Sequence, residues 1–420
     1  MTYEEIVTKL TSKSFFSKFA GLYRMKKTMD YFGNPEENLN IVHVAGTNGK
    51  GSVCSMLHAV LAEAGYKVGL YTSPYIHDIR ERIQINGKLI TKERLVEICE
   101  EVFAYTDKLP DKPNQFELLT MIALLYFERE HCDIVILETG LGGTYDPTNI
   151  VMKPLCSVIM NIGLDHCAVL GNSIAEIADA KAGIIKHNCD VVVYPSKKEA
   201  VDVITAMAFK KNATIHYVDC DAIRQLEPED GFEHFLYNDM EIRLSLLGKH
   251  QQKNCAVALD VIRILNKGKY FITDSDIRNG LSHVHWPVRM ERLHRNPDIY
   301  LDGGHNPQCI QAAKEFFETP AFAGKKIHVL TGILGDKDYR TMLGILKSFS
   351  DDIAYFRFEH PRAIPEEELP ALCEEFGMRR IDNPEEELAG LEKDTESVVL
   401  CIGSLYMSDR IRSIYVETER

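Results

Sequence analysis

Two α/β domains, each built on a mainly parallel sheet, are predicted by three features of the sequence. Short runs rich in Ile and Val, such as CDIVILE and CSVIMNIG, alternate with longer amphipathic segments such as HQQKNCAVALDVIRIL. The runs are apolar almost without interruption, which is the pattern of strands covered on both faces. The alternation pauses at residues 286–297 and then restarts, dividing the chain into a larger part, 1–290, and a smaller one, 291–420. A chain of 420 residues is also longer than one ordinary core supports.

The first 38 residues read as helix and then loop, closing in the turn GNPEEN. Residues 41–52, IVHVAGTNGKGS, organise the rest of the chain. An apolar run, 41–44, opens into small residues, and a helical segment begins near Lys50. Strand, glycine-rich turn and helix N-terminus together make an anion cradle. Backbone N–H groups converge there, and the helix dipole favours negative charge. Lys50 reads as a phosphate ligand. The strict G-x-x-x-x-G-K-[ST] pattern is not met: Val44 holds the first glycine position, Gly51 follows the lysine, and the hydroxyl comes at Ser52. The alternative is a glycine-rich turn with a surface lysine; the strand before and helix after favour the cradle.

KVGLYTSP is a short strand ending at Ser73, followed by a small hairpin around Asn86-Gly87 and helical stretches over 91–106 and 114–130. CDIVILETGLGG and CSVIMNIGLDH repeat the theme of a buried strand opening into glycines. A helix covers IAEIADAKAGIIK, and CDVVVYP and TIHYVD are further strands. Residues 232–248 read as antiparallel strands, and HQQKNCAVALDVIRIL as a helix. The boundary stretch WPVRMERLHRNP holds the only tryptophan, two prolines and a charge cluster. Beyond it come IYLDGG, a helix from Pro307, KIHVLTGIL, a helix from Asp338, DIAYFRF, an acidic helix near 365–376, and VVLCIGSLY.

Bulk properties narrow the partners. A net charge of −14, with no Lys/Arg-rich run, argues against nucleic acid, so an anionic substrate must be held by a few focused cations or a metal ion. The eleven cysteines are scattered without a C-x-x-C pair, as in a reducing cytoplasm. The polar, acidic N-terminus is not a signal peptide, and no apolar run approaches membrane-spanning length.

In open α/β sheets ligands bind beyond the carboxyl ends of the strands. The polar residues expected there are Thr72 and Ser73, Glu138, Asp165 and His166, and in the second part Asp302 and His305. A carboxylate capping a run of Ile and Val needs a partner. For Glu138 that partner is either Mg²⁺ beside the phosphates or the N–H groups of a neighbouring turn. His166 reads as a turn histidine or a ligand, and Ser73 as a polar turn residue before a proline. Asp302 and His305 face a nucleotide or belong to an Asp-Gly-Gly, Asn-Pro turn. Asn254 and Arg289 carry no signal by themselves.

The ordered motifs HVAGTNGKGS, TSP, QFELLT, LETGLGGTYDPTN, NIGLDH, KAGIIK, LLGKHQQKN, WPVRME, LDGGHNP, GDKD and GSLY run from residue 43 to 406. They resemble the folylpolyglutamate synthase/dihydrofolate synthase family, a branch of the Mur-type ATP-dependent amide ligases. The resemblance implies a P-loop-type ATPase domain (1–290) followed by a smaller Rossmann-like glutamate-ligase domain (291–420), with reaction in the cleft between them. It implies that Gly46, Thr47, Asn48, Gly49, Lys50, Gly51 and Ser52 hold the ATP phosphates, joined by Asn254, Arg289, Asp302 and His305. Ser73, Glu138 and His166 are similar to the family's Mg²⁺ ligands. Lys181 matches its carbamylated lysine, and with Lys50, Glu138 and His166 makes up the implied catalytic set. Phe116, Tyr145 and Asp146 fall where the family binds its pteridine-containing acid.

The implied reaction joins L-glutamate to dihydropteroate or to folates at the expense of ATP, in a cytoplasmic monomer that acts on small molecules and on neither nucleic acid nor membrane. Several positions depart from the family pattern: Thr144 stands where many relatives carry Arg, Pro147 replaces a small residue, Val288 a glycine and Gly303 an alanine, and GSLYMSD lacks a following glycine. Loss of a cation at Thr144 bears on which acid is accepted. The alternative is a ligase that joins an amino acid to a different, non-folate carboxylate; a nucleotide-binding module without catalysis is disfavoured by the retained Lys50, Glu138, His166 and Lys181.

Overall fold

The computed structural model describes residues 1–13 and 21–416. The part of the expected N-terminal helix that falls on 14–20 lies outside them; on either side run helices Tyr3–Thr11 and Tyr23–Tyr31. The described residues form two compact units. The first comprises 1–228, 234–244 and 252–284, and the second 229–233, 245–251 and 285–420.

The first unit is built on strands β1 (Ile41–Ala45), β2 (Val68–Tyr71), β3 (Ile83–Ile85), β4 (Lys88–Leu89), β5 (Ile134–Glu138), β6 (Cys156–Ile159), β7 (Asp190–Val193) and β8 (Thr214–Tyr217). They pair in the order β4-β3-β2-β5-β1-β6-β7-β8. Pairing is parallel from β2 through β8, and antiparallel only at the β2-β3 and β3-β4 edge. Every residue of β1, β5 and β6 is buried, as their unbroken apolar runs require. The expected hairpin is β3-β4. Asn86 and Gly87 have φ of 46° and 75°, the positive angles that a tight two-residue turn between twisted strands demands.

Helix Gln115–Arg129 shows how sequence becomes packing. Asn114 accepts from the Glu117 N–H while the Glu117 carboxylate accepts from the Asn114 N–H, a reciprocal cap. Residues 115–127 are all buried, consistent with an apolar run that shows no polar face. At its start the Glu117 carboxylate receives Arg24 Nε at 3.0 Å, a buried pair that ties helix Tyr23–Tyr31 to this helix.

Strands β9 (Ile223–Gln225), β10 (Glu233–Tyr237) and β11 (Met240–Leu244) make a small sheet of order β11-β10-β9. In the second unit β12 (Glu291–His294), β13 (Asp298–Asp302), β14 (Ile327–Thr331), β15 (Asp352–Phe356), β16 (Arg379–Ile381) and β17 (Val398–Ile402) pair in the order β12-β13-β17-β14-β15-β16. All its pairings are parallel except β12-β13. The sequence reading missed β12: part of the stretch taken as boundary is an edge strand. Its four residues are all half-buried, so it lacks the alternation or apolar run that marks a strand. Among the described residues no helix is long and apolar enough to cross a membrane.

Candidate active site

The carboxyl end of β1 carries the glycine-rich loop that the sequence marks as an anion cradle. Helix Lys50–Glu63 starts at Gly49, which sits at φ 85°, and no side chain caps its N-terminus, so its first amides face the loop. The turn is tight: a Cβ at Gly46 would lie 2.4 Å from Met160 Cβ, and one at Gly49 2.6 Å from Asn254 Oδ1. Asn254, buried on helix Lys249–Lys267, is thus brought against the loop. The Thr47 N–H donates to Asn161 O at 2.8 Å, and its hydroxyl donates to Gly163 O at 3.1 Å.

Two lysines converge on one carbonyl. Lys50 Nζ donates to Gly46 O at 3.0 Å and to Thr47 O at 3.3 Å, and lies 3.9 Å from the Glu138 carboxylate. Lys181 Nζ, on helix Ile174–Ala182, donates to the same Gly46 O at 2.9 Å. Lys181 is 4% exposed. Burial, with Lys50 nearby, pushes its pKa down to about 7. Glu138 closes β5 in register with Val44 of β1, and its buried carboxylate accepts from the Ser73 N–H at 3.1 Å. The structure therefore brings together Lys50, Lys181, Glu138 and Ser73. His166 stands on the loop after β6 at φ 52°, with its side chain partly exposed and its N–H donating to the Asp165 carboxylate. Among the described residues no three His, Cys, Asp or Glu side chains converge to hold a metal.

The loop 139–150 follows Glu138. Phe116 is 4% exposed and lies against Gly140, where a Cβ would come within 2.4 Å of the ring. Tyr145 is 66% exposed at the loop's crest. Asp146, expected at the substrate, is instead buried and bound to its own loop: it accepts from the N–H groups of Gly140, Leu141 and Thr148 and from the Thr148 hydroxyl. Thr144 is likewise engaged, its N–H and hydroxyl donating to Ala180 O at 2.8 and 3.1 Å beside Lys181. Sequence reasoning passed over Arg82, which is buried with its guanidinium 5.7 Å from the Phe116 ring and 5.3 Å from that of Tyr75. Its signal was a cation inside the half-apolar IRERIQI. It passed over His43 as well, a lone polar residue in β1.

In the second unit Arg289, Asp302 and His305 sit at or beside the carboxyl end of β13. The Asp302 carboxylate accepts from Met290 N–H at 2.8 Å and Gly304 N–H at 2.7 Å, and Arg289 donates to Val288 O. His305 Nδ1 lies 3.0 Å from Gly303 O. Gly303 leaves room here, for a Cβ would lie 2.9 Å from the Arg289 guanidinium. Val288 departs from glycine at a cost: it is buried at φ 54°, where a β-branched residue is strained.

Comparison with known proteins bears on this arrangement. The Mur ligase middle domain pattern matches residues 44–262, and that of the Mur ligase glutamate ligase domain matches 288–405. A dihydrofolate synthase/folylpolyglutamate synthase of Bacillus subtilis (strain 168) is 37% identical, covering 93% of this chain and 94% of its own. The chain belongs to the folylpolyglutamate synthase/dihydrofolate synthase family. As a Mur ligase of this family it is an ATP-dependent ligase. Folylpolyglutamate synthase of Lacticaseibacillus casei is 33% identical over 98% of both chains. The apo form of that protein superimposes with a TM-score of 0.88 at 30% identity, covering 99% of each chain. A folylpolyglutamate synthase–AMPPCP–folate complex gives 0.87 at 30%, covering 99% and 100%.

For a ligase of this family the tightness of the loop has a measurable consequence. Gly49→Ala is expected to weaken binding of a non-hydrolysable ATP analogue about five- to thirtyfold, since a left-handed alanine costs about 1–2 kcal/mol. Isothermal titration reads this directly, and an unchanged affinity would show that Asn254 yields to the added methyl.

Proposed function

We propose that the protein joins L-glutamate to dihydropteroate, and to the γ-carboxylate of folates, through an acyl phosphate made with ATP. The observation that carries this reading is the convergence of Lys50, Lys181 and Glu138 on a glycine-rich loop, with the loop 139–150 following directly from Glu138 and packing at Gly140 against Phe116.

A carboxylate is too poor an electrophile to form an amide with an amine in water. Phosphorylation converts it to an acyl phosphate, whose carbonyl the glutamate amino nitrogen attacks as phosphate leaves. The first step brings an anionic acid to a polyanion, so positive charge must be fixed in advance. Lys50 and the N-terminal amides of helix Lys50–Glu63 supply it to the phosphates, and we assign Arg289, Asn254, Asp302 and His305 to the same nucleotide. Phe116 and Tyr145 take the planar ring of the acceptor acid, while Asp146 shapes their loop and is not a direct contact.

Magnesium fits the surroundings of Glu138. A single buried carboxylate, adjoining Ser73 through its N–H and lying 3.9 Å from Lys50, suits an ion that keeps waters and would take phosphate oxygens for the rest of its shell. Glu138 and Ser73, with His166, would hold it, and when bound it neutralises phosphate charge. Lys181 fits carbamylation: with its pKa lowered to about 7, a large share of its amine is neutral near that pH, the form that adds CO₂, and the product would exchange a buried cation for an anion beside Gly46. The cysteine usage and charge of the chain support a cytoplasmic monomer that works on small molecules.

The test is ADP release scanned across dihydropteroate, tetrahydrofolate and its one-carbon forms, with and without glutamate. Release should require both the acid and glutamate. Silence with every pteroate and folate acid, alongside turnover on an acid lacking a pterin, would replace this reading.

A further inference from the structure

His43 is unexplained by the phosphate loop or the metal carboxylate. It lies in β1, wholly buried, with Leu137 of β5 and Ser157 of β6 beside it across the sheet. An imidazole among Val and Ile is costly unless its nitrogens are bonded. One is: Nε2 lies 2.8 Å from the Thr148 hydroxyl. Burial pushes the ring's pKa down to about 3, so it is neutral and a single nitrogen carries the proton.

The rest of the hydrogen-bond chain says which nitrogen. Asp146 receives four donors, Gly140 and Leu141 N–H on Oδ2 and the N–H and hydroxyl of Thr148 on Oδ1. Burial raises the Asp146 pKa, but three backbone N–H groups that can only donate, together with the Thr148 hydroxyl, favour its ionised, acceptor-only form. The single Thr148 hydroxyl proton therefore goes to Asp146, and the Thr148 oxygen must accept. Only Nε2–H of His43 can donate to it. Nδ1 is left as a buried lone pair with no hydrogen-bond partner among the described residues, a cost the arrangement tolerates.

We propose that His43 and Thr148 are positioning residues for the acceptor acid: His43, as its Nε2–H tautomer, orients the Thr148 hydroxyl, which locks Asp146 onto the Gly140–Leu141 turn. That turn bears directly on the Phe116 ring, where Gly140 has no room even for a Cβ. Loss of the relay leaves the turn unpinned above the ring. The proposal rests on the reading of Phe116 and Tyr145 as the acceptor's contacts, and β1 makes it a link between that loop and the strand that carries the nucleotide.

Four variants test it. Thr148→Val and His43→Leu remove the relay, while Thr148→Ser and His43→Gln keep a hydroxyl or an N–H donor in its place. Amide hydrogen exchange at 140 and 141 should quicken at least tenfold in the first two and stay near wild type in the second two. In steady-state assays the first two should raise KM for tetrahydrofolate at least tenfold with KM for ATP within twofold, and the second two should restore it. Unchanged exchange in a folded Thr148→Val or His43→Leu protein, or an equal rise in every KM, overturns the relay. Should Thr148→Val and His43→Leu fail to fold, His43→Gln decides: exchange at 140 and 141 at least tenfold faster than wild type refutes the Nε2–H assignment. A wild-type protein that turns over no folate acid refutes the functional reading alone, because the exchange arm needs no substrate.

Discussion

Lys50→Ala is expected to lower glutamate-dependent ADP release by about a hundred- to a thousandfold and to leave the fold intact. The side chain is partly exposed, and among the described residues its ammonium bonds the Gly46 and Thr47 carbonyls and borders Glu138, so no core packing is lost. What goes, in the proposed mechanism, is a positive charge fixed where an anionic acid meets a polyphosphate. Lys50→Arg should recover little, since a planar fork cannot occupy the space of a point ammonium between two carbonyls. Initial rates with saturating dihydropteroate, together with thermal unfolding, measure both halves. Activity within threefold of wild type would remove Lys50 from the chemistry.

Lys181→Met should be nearly as damaging, with a second signature in its pH dependence. The Lys181 ammonium is favoured in the unfolded chain up to the ordinary lysine range but is lost above about 7 in the folded protein. Between those values the unfolded state binds the extra proton, so wild-type stability should rise with pH from 7 to about 10, by up to one proton's slope in CO₂-free buffer. Below 7 the folded protein carries a buried cation at full penalty. Lys181→Met should flatten that limb and lose about a hundredfold in rate. Bicarbonate should restore wild-type activity in CO₂-stripped enzyme, as carbamylation requires, and leave the variant unmoved. Denaturant unfolding from pH 6.5 to 10 measures the slope; parallel curves for the two proteins would mean that Lys181 is not buried as a cation.

Much of this was legible in the chain because the determinants are local. The run IVHVA and the glycines after it specify a strand and a turn whatever surrounds them, and the same holds for CDIVIL ahead of Glu138. The Asn86-Gly87 hairpin needs only two positive φ angles. Lys181 was invisible without a family, because a lysine late in a helix looks solvated until Gly46 O is seen above it. The inward setting of Asp146 was not legible for a related reason: one-dimensional order cannot say whether a carboxylate in a glycine-rich loop turns outward to a ligand or inward to Gly140 and Leu141. Helix Asp274–His283 gave little apolar signal, and what seats it is Gly280, where a Cβ would lie 2.6 Å from Val60 Cα. Such close approaches exist only once both partners are folded.

The most direct measurement of the central claim tracks oxygen. Dihydropteroate labelled with ¹⁸O in its carboxylate is turned over with ATP and glutamate, and the released phosphate is analysed by mass. Phosphorylation of the carboxylate by ATP delivers one ¹⁸O to each phosphate formed. Phosphate without label, from an enzyme that still makes the amide, would contradict the acyl phosphate and with it the role given to Lys50.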